Sequence, residues 1–203
     1  FLFGQFPIFW KLSPMKPGAH AGEDQWILSK FSEGYVGSAV ELGALDGIYL
    51  SNTLELERRG WRCLCIEPNP RFWPSLGKNR RLAMKCACSN TEATSVPVWE
   101  SATTLGWTLS SIQRPLLAAE PTYTATLLTL DRCLEISGFE SLDVLSLDVD
   151  GIELMILEGF DIGRWQPKAV ILEEGPERRQ FMESCGYILD KHLGHNDCYW
   201  RLG

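Results

Sequence analysis

The sequence predicts an α/β domain with a mainly parallel central sheet, helices on both faces and an antiparallel hairpin at the C-terminal end. Short apolar runs alternate along the chain with stretches of helical spacing. Several runs, such as RCLCI and AVIL, are apolar from end to end, which is how strands covered on both faces read. The last two, YILDKHL and CYWRL, are separated only by the turn sequence GHND and can pair as a hairpin.

Bulk properties fit one such domain with some extra loops in 203 residues. A hydrophobic content of 45% is enough to build a core without covalent staples. The net charge of -7 argues against a general grip on nucleic acid, which rests on phosphate neutralisation, but leaves room for a nucleoside-containing cofactor or a neutral sugar. No apolar run approaches the ~20 residues that span a bilayer. The opening FLFGQFPIFW lacks a basic flank and is broken by Gly4 and Pro7, so it makes a poor signal peptide. The chain begins without Met, in keeping with one domain of a larger polypeptide.

Seven cysteines without regular spacing do not form a secreted disulfide framework. Cys63/Cys65 and Cys86/Cys88 are two C-x-C pairs that raise the question of zinc, but each sits in an apolar run, and buried free thiols are the preferred reading. A reducing, cytoplasmic setting follows from this usage.

In order, residues 1–19 read as an arm or linker remnant and 20–203 as the domain. A helix is expected from Glu23 to Phe31, then a buried strand and glycine-bearing turn over 39–47. A second helix covers Asn52 to Arg59 and stops at Gly60. Residues 62–68 form the second strand, 71–81 a helix and 82–89 the third strand. Residues 90–125 are less regular: VPVW at 97–100 is strand-like, and the Ser/Thr-rich 101–112 reads as a mobile loop that governs acceptor choice. The fourth strand and its turn span 143–151, a helix 152–159, the fifth strand 169–174, and a helix led by Pro176 runs to Cys185.

Ligands of open α/β sheets bind beyond the carboxyl ends of the strands, so the residues there matter most. Glu41, Gly43, Ala44, Asp46 and Gly47 follow the first strand. Small residues allow close backbone approach, but the pattern is not G-x-G-x-x-G, and its acids would repel phosphate while suiting a cation such as S-adenosylmethionine (SAM). Glu67 ends the second strand some twenty residues later, where an acid can accept from both ribose hydroxyls. Cys88 and Ser89 end the third strand near where an adenine would lie. Asp148 and Asp150, with Glu153 after them, end the fourth, and Glu173 and Glu174 the fifth. These acids can act as a general base, contact the SAM ammonium or form a Mg²⁺ site. The competing reading is a solvated rim or helix-capping acids. Among the histidines (His20, His192, His195), His195 lies in the GHND turn, where a surface role is preferred over that of a base, and Trp107 is the best candidate to stack on a sugar, with core or surface packing as the preferred reading.

GEDQWIL, VELGALDGIYLSNTLELERRGW, CIEPNP and LSLDVDGIELMILEGF, in that order, resemble the FkbM-type methyltransferases over roughly residues 20–203. The resemblance implies a Rossmann-like, class I SAM-dependent enzyme that methylates hydroxyls of sugars or natural products. It implies that Glu41, Gly43, Ala44 and Asp46 line the methionine end of SAM with Ser51 nearby, Glu67 and Pro68 the ribose, Cys88 and Ser89 the adenine, and Asp148 the sulfonium. Family members often carry Asp-Val-Glu-Gly where this chain has Asp148-Val149-Asp150-Gly151, which places the role of Asp150 in question. Related enzymes hold Mg²⁺ at positions matching Asp148, Glu173 and Glu174.

The expectation is therefore a SAM-dependent O-methyltransferase acting on the free hydroxyl of a sugar, glycan or small natural product, with Asp148 or Asp150 as base. Two rivals stand beside it. An NAD-dependent oxidoreductase is disfavoured by the missing glycine fingerprint. A docking module that has lost catalysis is disfavoured by the intact acids.

Overall fold

The computed structural model describes residues 17–102, 108–112, 120–149 and 151–202. Helix α1 (Glu23–Lys30) precedes β1 (Ser38–Leu42), α2 (Leu54–Arg58), β2 (Arg62–Ile66), α3 (Trp73–Asn79), β3 (Ala83–Met84) and β4 (Ala87–Cys88). Strands β5 (Ala93–Ala102), β6 (Thr108–Ser111) and β7 (Tyr123–Leu128) follow, then α4 (Leu130–Ile136), β8 (Val144–Leu147), α5 (Glu153–Glu158) and α6 (Ile162–Trp165). The chain closes with β9 (Ala169–Glu173), α7 (Pro176–Ser184), β10 (Tyr187–Leu193) and β11 (Asn196–Arg201).

The main sheet has the order β10-β11-β9-β8-β1-β2-β3. Its five strands from β9 to β3 are parallel, and the expected hairpin β10/β11 adds antiparallel through β11 to β9. Strand order reverses at β1, which has β2 on one side and β8 on the other. That switch opens a crevice above the carboxyl ends of β1 and β8, the place where such sheets take ligands. Alternate residues of β1 enter different cores: Val40 and Leu42 join one cluster, Ala39 the other. Burial on both faces is why the central strands carry apolar runs rather than polar alternation. The architecture is the Rossmann-like α/β arrangement expected.

The middle of the chain departs from expectation. The apolar stretch 82–89 is not one strand. Residues 83–84 pair with β2 in the main sheet, while 87–88 pair with β7 in a second sheet of order β4-β7-β5-β6. A run of apolar residues reports burial, not which partner the strand takes. The stretch 101–112, expected as a mobile loop, instead supplies the end of β5 and all of β6, paired from Trp99↔Ser111 to Ala102↔Thr108. Trp107 lies outside the described residues. Helix α4 was not anticipated, although its signals are present. Thr129 accepts from Arg132 N as an N-cap, and Leu130, Cys133 and Leu134 are buried at helical spacing.

A buried polar knot ties the main sheet to α2 and α3. The Arg80 side chain, just past α3, is fully buried. Its Nε donates to Glu57 Oε2 (2.9 Å), its Nη1 to Glu41 Oε2 (3.2 Å) and Ser51 Oγ (2.9 Å), and its Nη2 to Thr53 Oγ1 (2.8 Å). Glu41 also accepts from Ser51 Oγ, Thr53 Oγ1 and Asn52 N. Every charge in the knot has a hydrogen-bonded partner, the condition under which burial is tolerated. Arg80→Met would strand two buried carboxylates and should cost about 3–5 kcal/mol in urea unfolding. Arg59→Ala, removing a surface partner of Glu55, should stay within about 0.5 kcal/mol. An Arg80→Met protein as stable as the parent would contradict this role.

Candidate functional site

A cleft enclosing ≈ 970 Å³, its open mouth included, lies at the carboxyl ends of β1, β2 and β8, walled by β4 and the start of α5. Its polar lining comes from Glu67 and Asp148, and no lysine or arginine contributes among the described residues. The rest is largely apolar, including Leu45, Leu50, Phe72, Val98, Ile112 and Ile156.

The turn after β1 approaches the end of β8 more closely than a side chain permits. A Cβ on Gly43 would sit 2.0 Å from the Asp148 carbonyl oxygen, and Gly43 has φ +79°. Gly43 N and Ala44 N both donate to Ile66 O, fastening the same turn to β2. Next in the turn, Leu45 and Leu50 hold φ of 47° and 56°. Non-glycine residues avoid that region, and such strain gathers where a site has to be shaped. Both leucines line the cleft.

Glu67 is 3% exposed at the end of β2. Leu45 N donates to its Oε2 and Asn69 N to its Oε1, each at 2.9 Å, fixing the plane of the carboxylate. Asp148 stands opposite, at the end of β8. Part of its surface opens to the cleft, but protein surrounds it elsewhere. That recess, followed by the negative charges of Glu173, Glu153, Glu41 and Glu23, pushes its carboxyl up to about 6. The loop behind it is braced by fully buried Glu153, whose Oε1 accepts from Val149 N (3.3 Å) and Gly151 N (3.1 Å), while its Oε2 pairs with Arg178 (3.0 Å).

Of the residues expected at the cofactor, Gly43, Glu67, Pro68, Cys88 and Asp148 line the cleft. The others stand behind it. Glu41 and Ser51 are consumed by the Arg80 knot. Ala44 packs in a small core with Cys65 and Leu76. Asp46 caps its own turn, accepting from Ile48 N (2.9 Å) and Tyr49 N (2.8 Å). Ser89 is buried with its hydroxyl toward Met155 Sδ (3.2 Å). Asp150 lies outside the described residues. The apolar lining, Phe72 above all, was missed because isolated apolar residues look like core in a sequence.

The acids expected to hold Mg²⁺ do not come together. Glu173 turns toward Arg178 (3.8 Å), and Glu174 toward His192 (3.6 Å), in a separate hollow with Arg179 and Asp197. Among the described residues, the one group of three metal-ligating side chains drawn within 4.8 Å is a set of cysteines. His195 is an exposed turn residue whose carbonyl accepts from Glu174 N.

Two outcomes follow from this geometry. Gly151→Ala, at φ +93° with open space around it, should cost about 1–2 kcal/mol from backbone strain alone. Gly43→Ala adds a collision with the Asp148 carbonyl and should be clearly worse in thermal or urea unfolding; equal losses would contradict the close approach. Asp148 also leaves a mark on pH dependence. Between about pH 4 and 6 the folded chain holds a proton that the unfolded chain has released, so Asp148 makes stability fall as pH rises through that window. Asp148→Asn should therefore match the parent near pH 4 and be the more stable above pH 6, and a difference independent of pH would refute the raised pKa.

The model of the FkbM methyltransferase domain matches residues 41–189. No curated protein matches the chain. The matched segment runs from the carboxyl end of β1 into β10, takes in Gly43, Glu67 and Asp148, and covers well over half of the 203 residues, so the chain belongs to the FkbM methyltransferase family.

Proposed function

We propose that this chain is a SAM-dependent O-methyltransferase that methylates a hydroxyl of a sugar or glycan acceptor. The observation that carries the proposal is the pairing, in one cleft that no lysine or arginine lines among the described residues, of an oriented carboxylate at Glu67 with a cleft-facing one at Asp148. A dinucleotide or nucleoside phosphate would meet repulsion there. A ligand with a diol at one end and positive charge at the other fits the donor set.

SAM, when bound, supplies an activated methyl group on a sulfonium. The chain's own residues would do the rest. Gly43 lets the β1 turn and the β8 end close on the cofactor. Glu67, its plane fixed by two backbone N–H groups, accepts from the ribose hydroxyls. Phe72 and Val98 provide apolar walls for the adenine. The Asp148 carboxylate attracts the cationic centre and accepts the proton of the acceptor hydroxyl at an oxygen. Its raised pKa makes it a better base than a surface aspartate. Alignment of the two reactants contributes the larger share, ~7–11 kcal/mol in well-oriented systems.

The test is transfer of radiolabelled methyl from SAM to a panel of deoxysugars, oligosaccharides and hydroxylated natural products. Asp148→Asn should lower turnover ~10²–10⁴-fold, the range for a positioned base, while weakening SAM much less. Glu67→Gln should act in the opposite sense, on SAM affinity before turnover. Full turnover by Asp148→Asn would remove the base assignment, and transfer confined to non-sugar acceptors would overturn the acceptor class.

A further inference from the structure

The cysteine group at the inner wall of the cleft, of which only Cys88 was expected beside the cofactor, supplies none of the chemistry of the methyl transfer described above. Cys86 and Cys88 flank Ala87, and alternate residues of an extended chain project to the same side. Both line the cleft. Cys133, on α4, packs against that side. Its Sγ lies 3.7 Å from Cys86 Sγ and 3.7 Å from Cys88 Sγ, and the three sulfurs fall within 4.8 Å of one another. None of the three residues is more than 4% exposed.

We infer that Cys86, Cys88 and Cys133 form a binding site for a soft d¹⁰ metal ion, Zn²⁺ or Cu⁺, held by three sulfurs with its remaining side toward the cleft. Sulfurs bonded at ~2.3 Å to a common ion stand ~3.8 Å apart around a tetrahedral centre and ~4.0 Å around a planar one. The observed spacing needs little movement to meet either. The donor set selects against hard ions, because it is three sulfurs set in an apolar cluster with Leu130, Leu134 and Phe160. The other C-x-C pair is not involved: Cys63 Sγ points to Thr53 O and Cys65 Sγ toward Glu41.

Each cysteine binds the ion as its thiolate, so loading displaces the thiol protons, releasing up to three H⁺ with no change of oxidation state. Three thiolates leave a charge of −1 around Zn²⁺ and −2 around Cu⁺. The two ions therefore differ in electrostatic cost, and the open fourth position suits Zn²⁺ as the closed three-sulfur plane suits Cu⁺.

The experiment uses the full chain, reduced, stripped with chelator and kept anaerobic. It is titrated with Zn²⁺ against a chromophoric chelator and, separately, with Cu⁺ against a copper-selective one. One equivalent of one ion should bind, with proton release, tighter binding at higher pH and a raised thermal midpoint. Cys133→Ser and Cys86→Ala, each checked for a cooperative melt, should weaken it by more than the ~10–100-fold typical of an outer-shell loss. Cys185→Ser, at a partly exposed thiol outside the group, should leave it unchanged. Failure of both ions to bind the folded parent at one equivalent, or parental affinity in both cluster variants, would overturn the site. Neither readout depends on methyl transfer.

Discussion

The contact between Gly43 and the Asp148 carbonyl sets the geometry of everything around it. Parallel strands at the point of order reversal diverge above their carboxyl ends, and the turn after β1 has to fold back across the end of β8 without filling the gap. Only a residue without a side chain, in a left-handed conformation, makes that crossing at the observed separation. Once it is made, Leu45 is carried to Glu67, which it orients through a backbone hydrogen bond, and Asp148 is left at the edge of the recess. One backbone approach thus aligns the ends of three strands.

Acidic residues crowd this end of the sheet, but they divide into two kinds. Glu41, Glu57 and Glu153 are buried and matched with Arg80 or Arg178, and Asp46 serves its own turn. These maintain backbone positions. Glu67 and Asp148 face the cleft. The two kinds are coupled, because the charges of Glu173, Glu153 and Glu41 add to desolvation in raising Asp148. A framework of paired carboxylates therefore adds to the rise in pKa of one that faces the cleft.

Much of the fold was legible in the sequence because parallel strands buried on both faces leave an unmistakable apolar run, and because GHND sits between two strand-like segments. The middle of the chain was not. A run such as LAMKCACS states that its residues are buried but not that the chain changes sheets between Met84 and Ala87. Gly43, Glu67 and Asp148, expected at the site from residue type and spacing at strand ends, line the cleft. Glu41, expected beside the ligand, bonds to Arg80 instead of lining the cleft: a carboxylate before a glycine turn looks the same in sequence whether it faces a ligand or a buried arginine thirty-nine residues away. The Cys86–Cys88–Cys133 group was half visible as a C-x-C pair, and its third member comes from a helix the reading did not assign.

The central claim is that two acids make the cleft selective for a cationic nucleoside. It is tested most directly by calorimetric titration of the parent protein with SAM and with its neutral product, S-adenosylhomocysteine, across pH 5 to 8. The account predicts that both bind at one site, and that the preference for SAM over the product grows as pH rises through about 6, where Asp148 becomes charged. A preference that stays flat with pH would contradict the role given to Asp148, and a folded protein that binds neither ligand would contradict the claim as a whole.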